Sequence, residues 1–145
     1  MTAVAFHFGA PDKLAYVCRL LRKAVGSGSK VLVVAESDML QRIDADLWAV
    51  SPTDFVSHGF AADSHELAAL SSVVLATQLE LNSNHSQVLL NLTDELLPGF
   101  ENFERLIEVV STDDADRQSA RRRWRAYTEK GYQITRHDLA LKGAT

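Results

Sequence analysis

Cysteine is almost absent from this 145-residue chain, where Cys18 stands alone. One thiol cannot build an internal disulfide framework or a cysteine-rich zinc site, and that usage leads us to expect a cytosolic setting. No apolar run approaches the roughly 20 residues that a membrane helix needs. The start, Met-Thr-Ala-Val-Ala-Phe-His-Phe, lacks the basic opening and long apolar stretch of a signal peptide. Glycine is scarce where nucleotide chemistry would need it. The loop after the first expected strand, His7-Phe8-Gly9-Ala10-Pro11-Asp12, holds one glycine, and the loop Ala35-Glu-Ser-Asp-Met39 holds none. Without G-x-G-x-x-G or G-K-[ST], the backbone cannot closely approach a pyrophosphate. The histidines (His7, His58, His65, His85 and His137) form no H-x-x-x-H or H-E-x-x-H pair, and no G-x-S-x-G elbow occurs. We therefore expect no metal, no cofactor and no catalytic residue. Cys18, on the apolar face of an expected helix, reads as a packed thiol rather than a nucleophile.

What is present describes one α/β domain. Apolar residues make up 46% and charged residues 23% of the chain, the balance of a soluble globular protein with a real core. Val4, Phe6 and Phe8 alternate along an expected strand from Ala3 to Phe8. Asp12 is placed to cap a helix running to about Val25, and Gly26-Ser-Gly28 to end it. Lys30 to Ala35 is a continuous apolar run, as in a buried parallel strand. Ser37 opens a second helix that Trp48 closes. Further strands are expected at Phe55–His58, Val73–Thr77, Gln87–Leu92 and Leu106–Val110, with a short helical turn near Phe103. Asp113, Asp114 and Asp116 suit the start of a last helix that Gly131 stops near Lys130. Tyr132–Thr135 could add an edge strand, and the tail after Asp138 is expected to fray. This βαβ alternation predicts a three-layer α/β/α sandwich over residues 1–145, with a mostly parallel sheet.

The chain is acidic, with formal net charge −4, yet five arginines fall between Arg117 and Arg125. On a helix of about 3.6 residues per turn, Arg117, Arg121, Trp124 and Thr128 share one stripe, with Arg125 at its edge. Two readings stay open for it. One is a solvated amphipathic helix with Ala120, Trp124 and Tyr127 turned to the core and the arginines, Arg123 included, in water. The other is a binding surface for a partner carrying an apolar group and an anion. The solvated reading accounts less well for six cations with one acid between Arg117 and Lys130, whose repulsion is uncompensated, and composition leaves the two readings about even. A broad duplex-DNA interface is disfavoured by the overall acidity. Trp48 and Phe55 read from the residues alone as core aromatics, with a protein-interface anchor as the other reading.

The ordered pieces resemble the chi subunit family of the bacterial DNA polymerase III holoenzyme. They are Phe6-His-Phe8, Gly28-Ser-Lys-Val-Leu-Val33, Asp46-Leu-Trp48, Phe55-Val-Ser-His58, Phe100-Glu-Asn-Phe-Glu-Arg105, Glu108-Val-Val110, Arg121-Arg-Arg-Trp-Arg-Ala-Tyr127 and Gly131-Tyr132. Between Ala61 and Gln87 the chain departs from the family, with Ser71-Ser72-Val73 in place of a proline-led apolar strand. The resemblance implies a Rossmann-like fold without a nucleotide site and a non-catalytic bridging role in DNA replication. It implies two partners: the acidic C-terminal tail of single-stranded DNA-binding protein, and the psi subunit of the clamp loader or a helicase at the same surface. By position it implies Arg121 as the clamp for the tail's carboxylate, Arg117 for its aspartates, Trp124 and Val110 as pocket walls, and Arg125 at the edge. It turns Trp48 and Phe55 into partner-facing anchors. The other readings are a nucleotide- or small-anion-binding enzyme and a helicase-accessory subunit in DNA repair.

Overall fold

The computed structural model describes residues 2–48, 58–60, 72–79 and 87–139. Among these residues seven strands form one sheet: β1 (Ala3–Ala10), β2 (Val31–Val34), β3 (His58–Phe60), β4 (Val73–Ala76), β5 (Val88–Asn91), β6 (Arg105–Ser111) and β7 (Ile134–Asp138). Their order is β3-β4-β2-β5-β6-β1-β7, and every adjacent pair is parallel. The central strands β2, β4 and β5 are buried along their whole length, which explains their unbroken apolar runs.

Alternation along each strand then sorts the core into two halves. Val31 and Val33 face one side with Val73, Leu75, Val88 and Leu90, under helices α1 (Lys13–Gly26) and α2 (Ser37–Trp48). Leu32 and Val34 face the other side with Phe6, Leu89, Leu106 and Val110, under helix α3 (Asp114–Glu129). The architecture is thus the expected three-layer sandwich.

The helix ends follow their residues. Asp12 accepts a hydrogen bond from the Ala15 N–H at 3.1 Å, and Asp113 does the same for Asp116 at 3.3 Å. Gly131, at φ 89°, turns the chain out of α3 while its N–H bonds the Thr128 carbonyl. Cys18 is buried, as its position on α1 implied, and burial beside Asp46 pushes its thiol up to about 11. A thiolate is therefore disfavoured at neutral pH.

Three local readings change. The third strand is His58–Phe60, so it starts where Phe55–His58 was expected to end; 55–57 lie outside the described residues. Gly59, a poor strand former, is carried there by parallel pairing with Val74. The last strand extends to Asp138 because all five of its residues pair with β1. The third change concerns Arg123, which is 3% exposed instead of in water. On α3, Ser119, Ala120, Arg123 and Tyr127 form the buried stripe. The Arg123 guanidinium meets Glu108 of β6 at 3.1 Å, and Glu108 also accepts from Tyr127 at 2.7 Å and from Asn91 at 3.1 Å. Burial pushes the Glu108 carboxyl up, to about 7, against the opposing pull of these donors.

A buried ion pair of this kind is costly to break from one side. Arg123→Met should destabilise the fold by about 3–5 kcal/mol, because a carboxyl is left buried without its counter-charge. Adding Glu108→Gln removes that charge while still meeting Tyr127 and Asn91, so the double variant should recover part of the loss. Urea denaturation followed by circular dichroism checks both; a double variant no more stable than the single would contradict the assignment.

Candidate functional site

The expected arginine stripe faces a groove between α3 and the β1–β7 edge of the sheet. Buried Ala120, Arg123 and Tyr127 fix the rotation of the helix, and this leaves Arg117, Arg121 and Arg125 exposed on its outer flank. Trp124 lies between the two sets and is half-buried. Its ring rests on Phe6, with centroids 5.1 Å apart, and on Phe8 at 5.9 Å. The ring is thus anchored from beneath and open from above.

The β1 strand supplies the floor. Its pairing with β6 runs regularly to His7↔Val109 and resumes at Ala10↔Ser111, which leaves one extra residue in β1. Gly9, at φ 83°, accommodates that bulge. Phe8 sits at the bulge, stacked on Phe6 at 5.6 Å. Over its other side lies the Arg136 guanidinium of β7, 4.4 Å from the ring centroid, a cation–π contact.

Phe8, Trp124, Arg117, Arg121, Arg125 and Arg136 line a hollow of about 270 Å³. Four guanidiniums surround two aromatic faces, and no acid is among its lining residues. A second hollow of about 230 Å³ shares Phe8, Arg117 and Arg136 and reaches the hydroxyls of Ser111 and Thr112 at the strand ends. Asp138 belongs to this second part, 3.9 Å from Arg136. Arg117 is partly neutralised by Asp114 at 3.5 Å, so the acids that the stripe was thought to lack come from the first turn of its own helix. Arg121 and Arg125 form no ion pair within 4.0 Å among the described residues. Such a site can hold an apolar side chain on Trp124 and Phe8 while its rim grasps carboxylates.

The sequence reading placed Arg117, Arg121, Trp124 and Arg125 together, and the structure brings them to one hollow. Val110 is a correction: it is fully buried and belongs to the core beneath α3, since its position on β6 turns it inward. Phe8 provides the apolar surface instead. Arg136 was missed because the expected edge strand stopped at Thr135. The alternation Ile134-x-Arg136 was the available signal, since Ile134 packs into the core on the α3 side. Trp48 closes α2, as expected, whereas Phe55 lies outside the described residues. Among the described residues no group of three His, Cys, Asp or Glu stands ready to hold a metal ion. No helix among them is long and apolar enough to cross a membrane.

Comparison with known proteins identifies the setting. The family model described as DNA polymerase III chi subunit, HolC, matches residues 1–135. The chain belongs to the chi family. It is 36% identical over 129 residues to the DNA polymerase III subunit chi of Pseudomonas aeruginosa, covering 88% of this chain and 87% of that one. The corresponding proteins of Haemophilus influenzae and Escherichia coli are 26% and 27% identical, over 84% and 81% of this chain and 84% and 80% of theirs. The chain is accordingly an accessory subunit of a DNA replication polymerase. In this chi-family chain the groove lies within the matched residues, except for Arg136 and Asp138.

Asp116 holds the start of α3 in place beneath Arg117. Its carboxylate accepts the Ser111 N–H at 2.8 Å and meets the Lys13 ammonium of α1 at 3.2 Å. Burial alone would raise this carboxyl, but Ser111 and Lys13 outweigh it and hold it below its ordinary 3.8. A depressed folded pKa gives stability that is present above the unfolded value and lost as pH falls through the folded one. Asp116→Asn should therefore be less stable than the parent above about pH 4, with the difference shrinking on further acidification. Thermal melts from pH 3 to 7 check this; a difference that stays constant would contradict it.

Proposed function

We propose that the chain is a non-catalytic bridging subunit whose arginine groove grips the acidic C-terminal tail of single-stranded DNA-binding protein. The observation carrying this reading is the hollow itself, with its apolar floor of Phe8 and Trp124 inside a rim of four arginines. A tail that ends in an apolar residue with a free carboxylate, preceded by aspartates, complements both parts. The terminal side chain takes the aromatic floor, Arg121 takes the terminal carboxylate, and Arg117, Arg125 and Arg136 face the aspartates. Arg over Lys suits this task, since a guanidinium meets a carboxylate with two parallel hydrogen bonds.

The second partner in this reading is psi, or a helicase that competes for the same surface, anchored by Trp48 and Phe55. The chain would then join single-stranded DNA-binding protein to the clamp loader as a monomer in a heterodimer. A role as nucleotide- or anion-binding enzyme has less support, because the hollow is framed by guanidiniums and aromatic rings rather than by a glycine-rich backbone cradle.

Calorimetry with a synthetic tail peptide tests the groove. Arg121→Ala should weaken binding by about 1.5–3 kcal/mol, the range for hydrogen bonds to charged groups. Amidating the peptide's C-terminus should cost a similar amount in the parent and little more in the variant. Raising salt should weaken binding further, since part of the attraction is between exposed charges. Unchanged affinity for Arg121→Ala would reject the clamp.

A further inference from the structure

A second large hollow is on the other face of the sheet and has no part in the groove. It measures about 450 Å³ and runs between α1 and strands β6, β1 and β7. Its origin is legible in β1. On the α3 side that strand carries Val4, Phe6 and Phe8, whereas on the α1 side it carries Ala3, Ala5 and His7. The small side chains leave a trough where the opposite face has bulk. On the α3 side, α3 packs on β6 and β7. On the α1 side, α1 packs on β6 and meets β1 at His7 through Tyr16, and Ala3 is left exposed.

The wall and the floor both fit a helix. Leu20 and Ala24 of α1 line the trough four residues apart, flanking buried Val17 and Leu21, and Ser27 joins them just past the helix end. Ala3 and Ala5 permit close approach from below. The floor strand β1 is hydrogen-bonded on both sides, to β6 and to β7. An extended peptide laid there would find no free ladder groups and would leave its own backbone unsatisfied, whereas a helix satisfies itself. From Ala3 to His7 the trough is about 13 Å long, at about 3.3 Å per residue, or rather more than two helical turns of about 5.4 Å.

Its charge is one-sided. Lys23 and Arg105 line the trough near the beginning of the strands, and no acid among the described residues lines it, although the whole chain is acidic. His7, hydrogen-bonded to Tyr16, and the ring of His137, 4.5 Å from it, close the other end. We infer that this trough seats an amphipathic helix of another polypeptide, laid along β1 with its acidic end against Lys23 and Arg105. The helix would supply the missing part of the outer layer over β1 and β7, on a face separate from the arginine groove.

The test uses the full-length chain in its native cell, with a photo-crosslinking benzoylphenylalanine at exposed Ala3 and, as a control, at Arg122 on α3. Irradiation at position 3 should give one crosslinked species absent from the control, and mass spectrometry should map it to an acid-bearing amphipathic helical segment of another protein. The double variant Lys23→Glu/Arg105→Glu should lower the yield at least ten-fold with an unchanged thermal melt, while Arg121→Ala leaves it intact. A crosslink that survives charge reversal overturns the inference. So does one to another copy of this chain, to an extended or basic segment, or to nucleic acid, and so does a yield no higher than the control's.

Discussion

The buried contact between Glu108 and Arg123 sets the geometry on which the rest depends. A helix carrying five arginines in nine residues has no single hydrophobic stripe strong enough to fix its rotation. Drawing one of those arginines into the core, onto a carboxylate that also receives Tyr127 and Asn91, permits essentially one rotation. Once Arg123 points inward, Arg117, Arg121 and Arg125 must flank the opening and Trp124 must lie at its margin. The arrangement costs desolvation of two charged groups, and its return is specificity of orientation more than stability.

Charge segregation follows from the same choice. The acids at the start of α3 cap its N-terminus, tie it to α1 through Lys13–Asp116 and moderate Arg117. Beyond that first turn the helix is almost purely cationic, and the fold adds Arg136 from a different element to complete the rim. A chain of formal net charge −4 thus presents a compact positive site. The attraction of such a site for acidic segments reaches about a Debye length, roughly 8 Å at physiological salt.

Much of this was legible in the residues, and the exceptions have physical causes. Unbroken apolar runs announced the buried parallel strands, and Asp12, Asp113 and Gly131 marked helix ends through local hydrogen bonds that sequence spacing alone implies. The shared stripe of Arg117, Arg121 and Trp124 follows from helical periodicity. Arg123 was misread because periodicity ranks a guanidinium as exposed, and its partner Glu108 sits in an otherwise apolar strand 15 residues earlier; only tertiary pairing reveals the match. Phe8 shares a side with Val4 and Phe6, as alternation implies, but its place at the bulge beside Gly9 leaves it half-buried at the groove, which spacing alone does not reveal. Arg136 depends on how far the last strand pairs with β1, a long-range matter. Val110 was placed in the wall by resemblance, whereas strand alternation puts it inside with Leu106.

In the proposed role, the arginine groove rather than the α1 face of the sheet receives an acidic polypeptide terminus. Amide and indole NMR spectra of the labelled chain, titrated with the tail peptide, address it most directly. The account predicts shifts concentrated at Phe8, Arg117, Arg121, the Trp124 indole and Arg136, with Ala5 and Lys23 on the far face unmoved. Shifts centred on the far face, or a spectrum indifferent to saturating peptide, would contradict it.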